Sequence, residues 1–85
     1  ICAAPYALNK AGVLKDRYTC YPSVEGEIKK DGYMADSSMV IEDKNVMTSR
    51  GPATAICFAL SIVKKLNGIE SYNSLKSGLL ATYCE

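Results

Sequence analysis

The sequence predicts an α/β protein. Short β-prone runs alternate with helical patterns along the chain, which is the order that layers helices on a sheet. The longest helical pattern is apolar around far more than one stripe. Only three short strands are available to cover it, so a larger sheet is expected in front of this segment. A small self-standing α+β domain is the alternative.

Pro5 to about Ala11 reads as a first helix, because the fixed φ of Pro5 suits a first turn and Ala7 and Leu8 are good helix formers. Gly12 can end it in a left-handed C′ conformation, with Val13 and Leu14 packing back. After a polar turn at Lys15-Asp16, Arg17-Tyr18-Thr19-Cys20-Tyr21 reads as a short strand that Pro22 stops. Ser23 to Lys30 reads as one or two helical turns with Ser23 as cap. Asp31-Gly32 makes a turn. Ser38–Glu42 and Asn45–Ser49 are β-prone runs joined through Asp43-Lys44, the shape of a hairpin.

Arg50-Gly51-Pro52 then breaks the chain sharply. Ile56, Ala59, Leu60, Val63 and Leu66 follow at helical spacing, and Ala55, Phe58 and Ile62 widen their face. Lys64 and Lys65 suit the C-terminal end of this helix, and Asn67-Gly68 closes it. A last helix is expected from about Ser71 to Leu80, with Tyr72, Leu75 and Leu79 facing inward. Residues 1–85 are read as part of one domain.

Ten basic and nine acidic residues are mixed along the 85, for a net charge of +1. No basic stripe accompanies the tyrosines, so a nucleic-acid surface is not expected. No apolar run reaches the roughly 20 residues of a membrane helix. The four cysteines could form two disulfides, but the sequence is less dense in cysteine than disulfide-stapled domains, and free thiols in a cytoplasmic protein are expected. With no histidine and no C-x-x-C, no metal site is expected. Cys20 and Cys57 read as packing residues, and Cys84 is given no function.

The chemical candidate is Ile1-Cys2-Ala3-Ala4-Pro5, a thiol among small residues at the mouth of a helix. Free backbone N–H groups and the dipole favour the thiolate there, the reactive form of cysteine. A buried structural cysteine is the competing reading. The missing initiator methionine, and a cysteine that makes poor structural sense without a strand leading into it, give the expectation that these residues are the back part of a longer protein.

Ile1-Cys2-Ala3-Ala4-Pro5, Thr19-Cys20-Tyr21-Pro22, Thr48-Ser49-Arg50-Gly51-Pro52-Ala53-Thr54-Ala55 and Phe58-Ala59-Leu60-Ser61-Ile62-Val63 come in one order with compatible gaps. Together they resemble the C-terminal half of the ThiJ/PfpI superfamily, in its DJ-one-like branch. The resemblance implies a flavodoxin-like three-layer α/β sandwich, of which this chain supplies the part from the nucleophile elbow onward, and a homodimer when complete. It implies Cys2 as nucleophile, the backbone N–H groups of Cys2 and Ala3 as oxyanion donors, and a glutamate from the N-terminal half. The activity implied is cofactor-independent glyoxalase chemistry on small dicarbonyls, or deglycation.

The chain departs from the family pattern at Tyr21, where well-known members carry a histidine, and at Ala3, where peptidase-like members do. A Cys-His protease is therefore disfavoured. Tyr21 and Pro22 are candidates for the pocket, Tyr21 either orienting substrate or serving as wall. Arg50, Gly51 and Pro52 either border the cysteine pocket or form a structural turn with Arg50 paired to an acid or a dimer partner. Two alternatives to the enzyme stand: an oxidative-stress sensor or chaperone using the same oxidisable cysteine, and an inactive remnant with exposed apolar surface.

Overall fold

Valine, isoleucine and methionine around a two-residue loop make the centre of the molecule a hairpin. The computed structural model describes residues 1–85. Strand β1 (Val40–Asp43) pairs antiparallel with β2 (Val46–Ser49), in the register Val40↔Ser49, Ile41↔Thr48, Glu42↔Met47 and Asp43↔Val46. Lys44 takes the left-handed φ of 57° that lets so short a loop reverse the chain. Period-two alternation turns Ile41 and Thr48 inward together.

Helix α1 (Ala4–Lys10) precedes the hairpin, and α2 (Ala55–Asn67) and α3 (Ile69–Gly78) follow it. Pro5 lies in the first turn of α1. Gly12, at φ 73°, reverses the chain beyond it, so that the N–H groups of Val13 and Leu14 both reach back to the Leu8 carbonyl. A 3₁₀ turn at Pro52–Thr54 feeds directly into α2, which packs against α3 and lies over the hairpin. Cys57 and Leu60 of α2, Tyr72 of α3, and Ala81 and Cys84 of the tail form the main apolar core, with Met39 and Val40 against it.

The expected strand at Arg17–Tyr21 does not form. Tyr18 makes one parallel bridge, to Tyr33, and Tyr18, Thr19 and Cys20 are nonetheless fully buried. A strand needs a ladder of partners, and this run instead spends its backbone groups on scattered ones: the Arg17 N–H on the Asp43 carboxylate, the Thr19 N–H on Thr48 Oγ1 at 2.9 Å and the Tyr21 N–H on the Cys2 carbonyl. Gly32 makes the bridge possible. Its φ is 82°, and a Cβ there would lie 1.6 Å from the Asp16 carbonyl oxygen. The helical turn expected after Ser23 is a 3₁₀ turn, Val24–Glu27.

Three expectations near the C-terminus are corrected. Helix α3 starts at Ile69 because Gly68, at φ 92°, breaks the chain for a single residue only. Tyr72 faces inward as expected, but Leu75 and Leu79 are exposed. The cysteines are not all thiols: Cys57 and Cys84 form a disulfide, with their Cα atoms 5.3 Å apart. The pairing arises because the tail doubles back. Leu80 turns left-handed at φ 57°, and the Ala81 N–H bonds the Lys76 carbonyl. The Glu85 carboxylate then accepts from the Ser38 hydroxyl at 3.0 Å and the Met39 N–H at 3.1 Å. The wide apolar face of α2 is only partly covered, with Ile56, Ile62 and Leu66 exposed.

The disulfide joins residues 27 apart, a loop whose closure in the unfolded chain is worth about 3–4 kcal/mol. Cys84→Ser is therefore expected to lower the urea midpoint by that equivalent, and an unchanged midpoint would refute the bond. Gly32→Ala is expected to cost more than about 2 kcal/mol, because it adds both a backbone clash and a left-handed strain; a neutral result in the same titration would contradict the Tyr18–Tyr33 geometry.

Candidate functional site

Cys2 adopts φ 63°, a left-handed conformation that costs a non-glycine residue about 1 kcal/mol or more. It stands immediately before Ala3, the residue that caps α1, so the chain turns sharply there into a helix. The strain is held from both sides. The Cys2 N–H donates to the Ser49 carbonyl at 3.0 Å, and the Cys2 carbonyl accepts from the Tyr21 N–H at 2.9 Å. The side chain is half-buried and its thiol is free.

These bonds correct one expectation. The Cys2 N–H is committed to Ser49 and does not face a developing oxyanion. The N–H of the next residue, Ala3, makes no hydrogen bond within the chain.

Tyr21, Pro22, Arg50, Gly51 and Pro52 are brought together. With Ala53 and Thr54 they line one open hollow of about 220 Å³. Tyr21 is 49% exposed and its ring lies on Gly51, where a Cβ would come within 3.4 Å of it. Cys2 does not line this hollow, but its peptide is bonded to Tyr21 at the rim. Thr54 shapes the opposite wall: its hydroxyl accepts from the Gly51 N–H at 3.2 Å and lies 2.6 Å from the Ser49 hydroxyl, which donates to the Met39 carbonyl.

Arg50 is paired with no acid. Its Nε donates to the Cys20 carbonyl at 3.0 Å and its Nη2 to the Tyr33 hydroxyl at 2.7 Å, with the guanidinium 6.0 Å from the Tyr33 ring centroid. Tyr33 is thus a polar partner as well as a packed ring. Burial pushes the Tyr33 phenol up from its ordinary pKa, and the Arg50 charge offsets only part of that. Burial, then the Glu25 charge, likewise push the Cys20 thiol up, with Arg50 again opposing.

Sequence reasoning missed the backbone half of the site. Ser49, Cys20 and Tyr21 act through carbonyl and N–H groups that every residue carries, so residue type gives no signal for them. Three or more His, Cys, Asp or Glu side chains do not gather anywhere as a metal site, and no helix is long and apolar enough to cross a membrane.

The sequence profile of the DJ-1/PfpI family matches residues 1–65. The chain belongs to the DJ-1/PfpI family. It is 42% identical over 84 residues to the Drosophila melanogaster protein dj-1beta, covering 98% of this chain and 45% of that protein. It is 45% identical over 76 residues to the Caenorhabditis elegans glutathione-independent glyoxalase DJR-1.2, covering 88% of this chain and 40% of the relative. A Schizosaccharomyces pombe relative, also named a glutathione-independent glyoxalase, is 30% identical over 79 residues, covering 93% of this chain and 41% of that protein. The crystal structure of Drosophila DJ-1beta superposes with a TM-score of 0.83 at 42% identity, over 93% of this chain and 43% of that one.

The chain therefore spans less than half the length of these DJ-1/PfpI relatives. Its fold is the corresponding part of their α/β fold, as expected of the C-terminal half of a flavodoxin-like domain.

The two free thiols differ in access, which gives a chemical test. At pH 8 iodoacetamide is expected to label Cys2 in the native protein and leave Cys20 unmodified, with both labelled after unfolding and mass spectrometry reading the sites. Because the folded state binds the Cys20 proton more tightly, stability is expected to fall as pH rises from the ordinary thiol pKa through the raised folded value. Native labelling of Cys20 at the rate of Cys2 would contradict the burial.

Proposed function

We propose that this chain carries the nucleophile of a cysteine-dependent, cofactor-independent glyoxalase that converts methylglyoxal to lactate or deglycates early adducts. The observation that carries the reading is Cys2 in a left-handed turn ahead of α1, with the Ala3 N–H unbonded beside it. Two relatives named glutathione-independent glyoxalases support the substrate class.

In this reading the Cys2 thiolate adds to the aldehyde carbon of a small dicarbonyl, and the Ala3 N–H donates to the resulting oxyanion. A carboxylate moves a proton between the adjacent carbons. The hemithioacetal becomes a thioester, and water releases the hydroxy acid and returns the thiol. The sum is dicarbonyl plus water to hydroxy acid, with no net oxidation and no cofactor. The carboxylate is a glutamate from the part of the domain that this chain does not span. Tyr21, Pro22, Arg50, Gly51 and Pro52 form a wall near the bound dicarbonyl, and Tyr21 offers a hydroxyl to one of its oxygens. The complete domain acts as a homodimer, as the family resemblance implies, without nucleic acid or membrane as partner. Cytoplasmic residence fits the two free thiols, but the closed Cys57–Cys84 pair weighs against it, because cytosolic thiols are kept reduced.

The complete protein should make lactate from methylglyoxal, and Cys2→Ala should reduce that by at least about a thousandfold. Lactate from neither protein would sink the enzyme reading. Oxidation of Cys2 that alters partner binding without turnover would then favour the stress sensor.

A further inference from the structure

We propose that Arg50 is a positioning residue that locks the Cys2 turn by closing a ring of bonds around it. The Cys2 N–H is held by the carbonyl of Ser49, the residue that precedes Arg50, at 3.0 Å. The Cys2 carbonyl is held by the N–H of Tyr21, the residue that follows Cys20, at 2.9 Å. Arg50 Nε donates to the Cys20 carbonyl at 3.0 Å and so ties those two neighbours together. The path runs from Cys2 to Ser49, along the chain to Arg50, across to Cys20, along the chain to Tyr21, and back to Cys2.

Each part of Arg50 has a use in this ring. Nε closes it, while Nη2 is anchored on the Tyr33 hydroxyl at 2.7 Å and the guanidinium lies by that ring. A planar fork with two fixed donor directions can do both at once, and a lysine ammonium cannot. The closure matters because Cys2 is strained at φ 63°. A strained residue persists only where its surroundings over-determine it. Ser49 and Tyr21 each supply one bond, and Arg50 keeps the segments that carry them at a fixed separation. Arg50 thereby acts on the sulfur through the backbone, without touching it.

Amide hydrogen exchange on the full chain tests the ring directly, in wild type, Arg50→Lys and Arg50→Met. In both variants the Cys2 and Tyr21 amides should exchange about tenfold faster or more, the equivalent of losing one net hydrogen bond, while the Tyr72 amide in α3 keeps its rate. Tyr33→Phe removes only the Nη2 anchor and should give a smaller increase at the same two amides, which keeps the test open if Arg50→Met does not fold. Unchanged exchange at Cys2 and Tyr21 would overturn the proposal. So would an equal rise across the whole chain, which marks general stability, or wild-type behaviour of Arg50→Lys, which marks a point charge as sufficient.

The kinetic arm rests on the glyoxalase reading: in the complete protein, Arg50→Lys should lower kcat about tenfold with KM little changed. A raised KM with unmoved amides would instead make Arg50 a substrate contact and overturn the ring. Failure to form lactate in any variant would count against the glyoxalase reading alone, because the amide rates decide the ring without turnover.

Discussion

The site depends on a pair of hydrogen bonds that grip one peptide unit from either side. Cys2 gives its N–H to Ser49 and receives the N–H of Tyr21 on its carbonyl. A left-handed cysteine costs about 1–2 kcal/mol, and each bond returns a net of about 1 kcal/mol, so the turn is held only while both bonds are made. Everything placed around the sulfur follows from that balance. The turn points the chain into α1, leaves the Ala3 N–H unpaired, and sets the Cys2 peptide against the rim where Tyr21 lies on Gly51. The hairpin serves the same end, since Ser49 is the last residue of β2 and its carbonyl position is fixed by the strand pairing with Val40.

Much of the fold was legible in the sequence because its causes are local. The spacing of Ile56, Leu60 and Val63 announced α2, and Gly12 and Gly68 ended their helices with positive φ; the hairpin was also announced, but its reversal lies one residue later than Asp43-Lys44, at Lys44-Asn45, because Asp43 still pairs with Val46. What was not legible depends on contacts between distant segments. Arg17–Tyr21 has strand propensity, but propensity does not supply a partner, and a single bridge to Tyr33 is all that formed. The Cys57–Cys84 bond was passed over because cysteine density describes classes of protein, not the path of one tail. That path was set by Leu80 turning left-handed, a conformation no sequence rule assigns to leucine. Leu75 and Leu79 follow the helical period of α3 yet face outward, since α2 reaches only the Tyr72 side of the helix.

The candidate site divides along the same line. Side chains singled out by type, Tyr21 with Pro22 and Arg50 with Gly51 and Pro52, meet around one hollow although roughly thirty positions separate the two groups, a distance in sequence that only tertiary folding closes. An acid or a dimer partner was one reading for Arg50, and a place bordering the cysteine pocket the other. It meets a carbonyl and a phenol rather than an acid. Neutral acceptors leave the guanidinium charge uncancelled, and that charge lies near the Cys20 thiol and the Tyr33 phenol, opposing part of the upward shift that burial imposes on both.

The exposed apolar face bears on how such a site could work. An 85-residue chain has little interior to offer, and here only 13 residues are buried, while Leu66 is 77% exposed and Ile56, Ile69 and Leu79 are also open. The relatives are more than twice as long as the stretch they share with this chain. Cys2 is only half-buried and the apolar side chains Ile56, Ile62 and Leu66 of α2 stay open, so the chain by itself supplies the strained turn and its bracing but not the low-dielectric, water-poor surround that would sharpen thiol chemistry there.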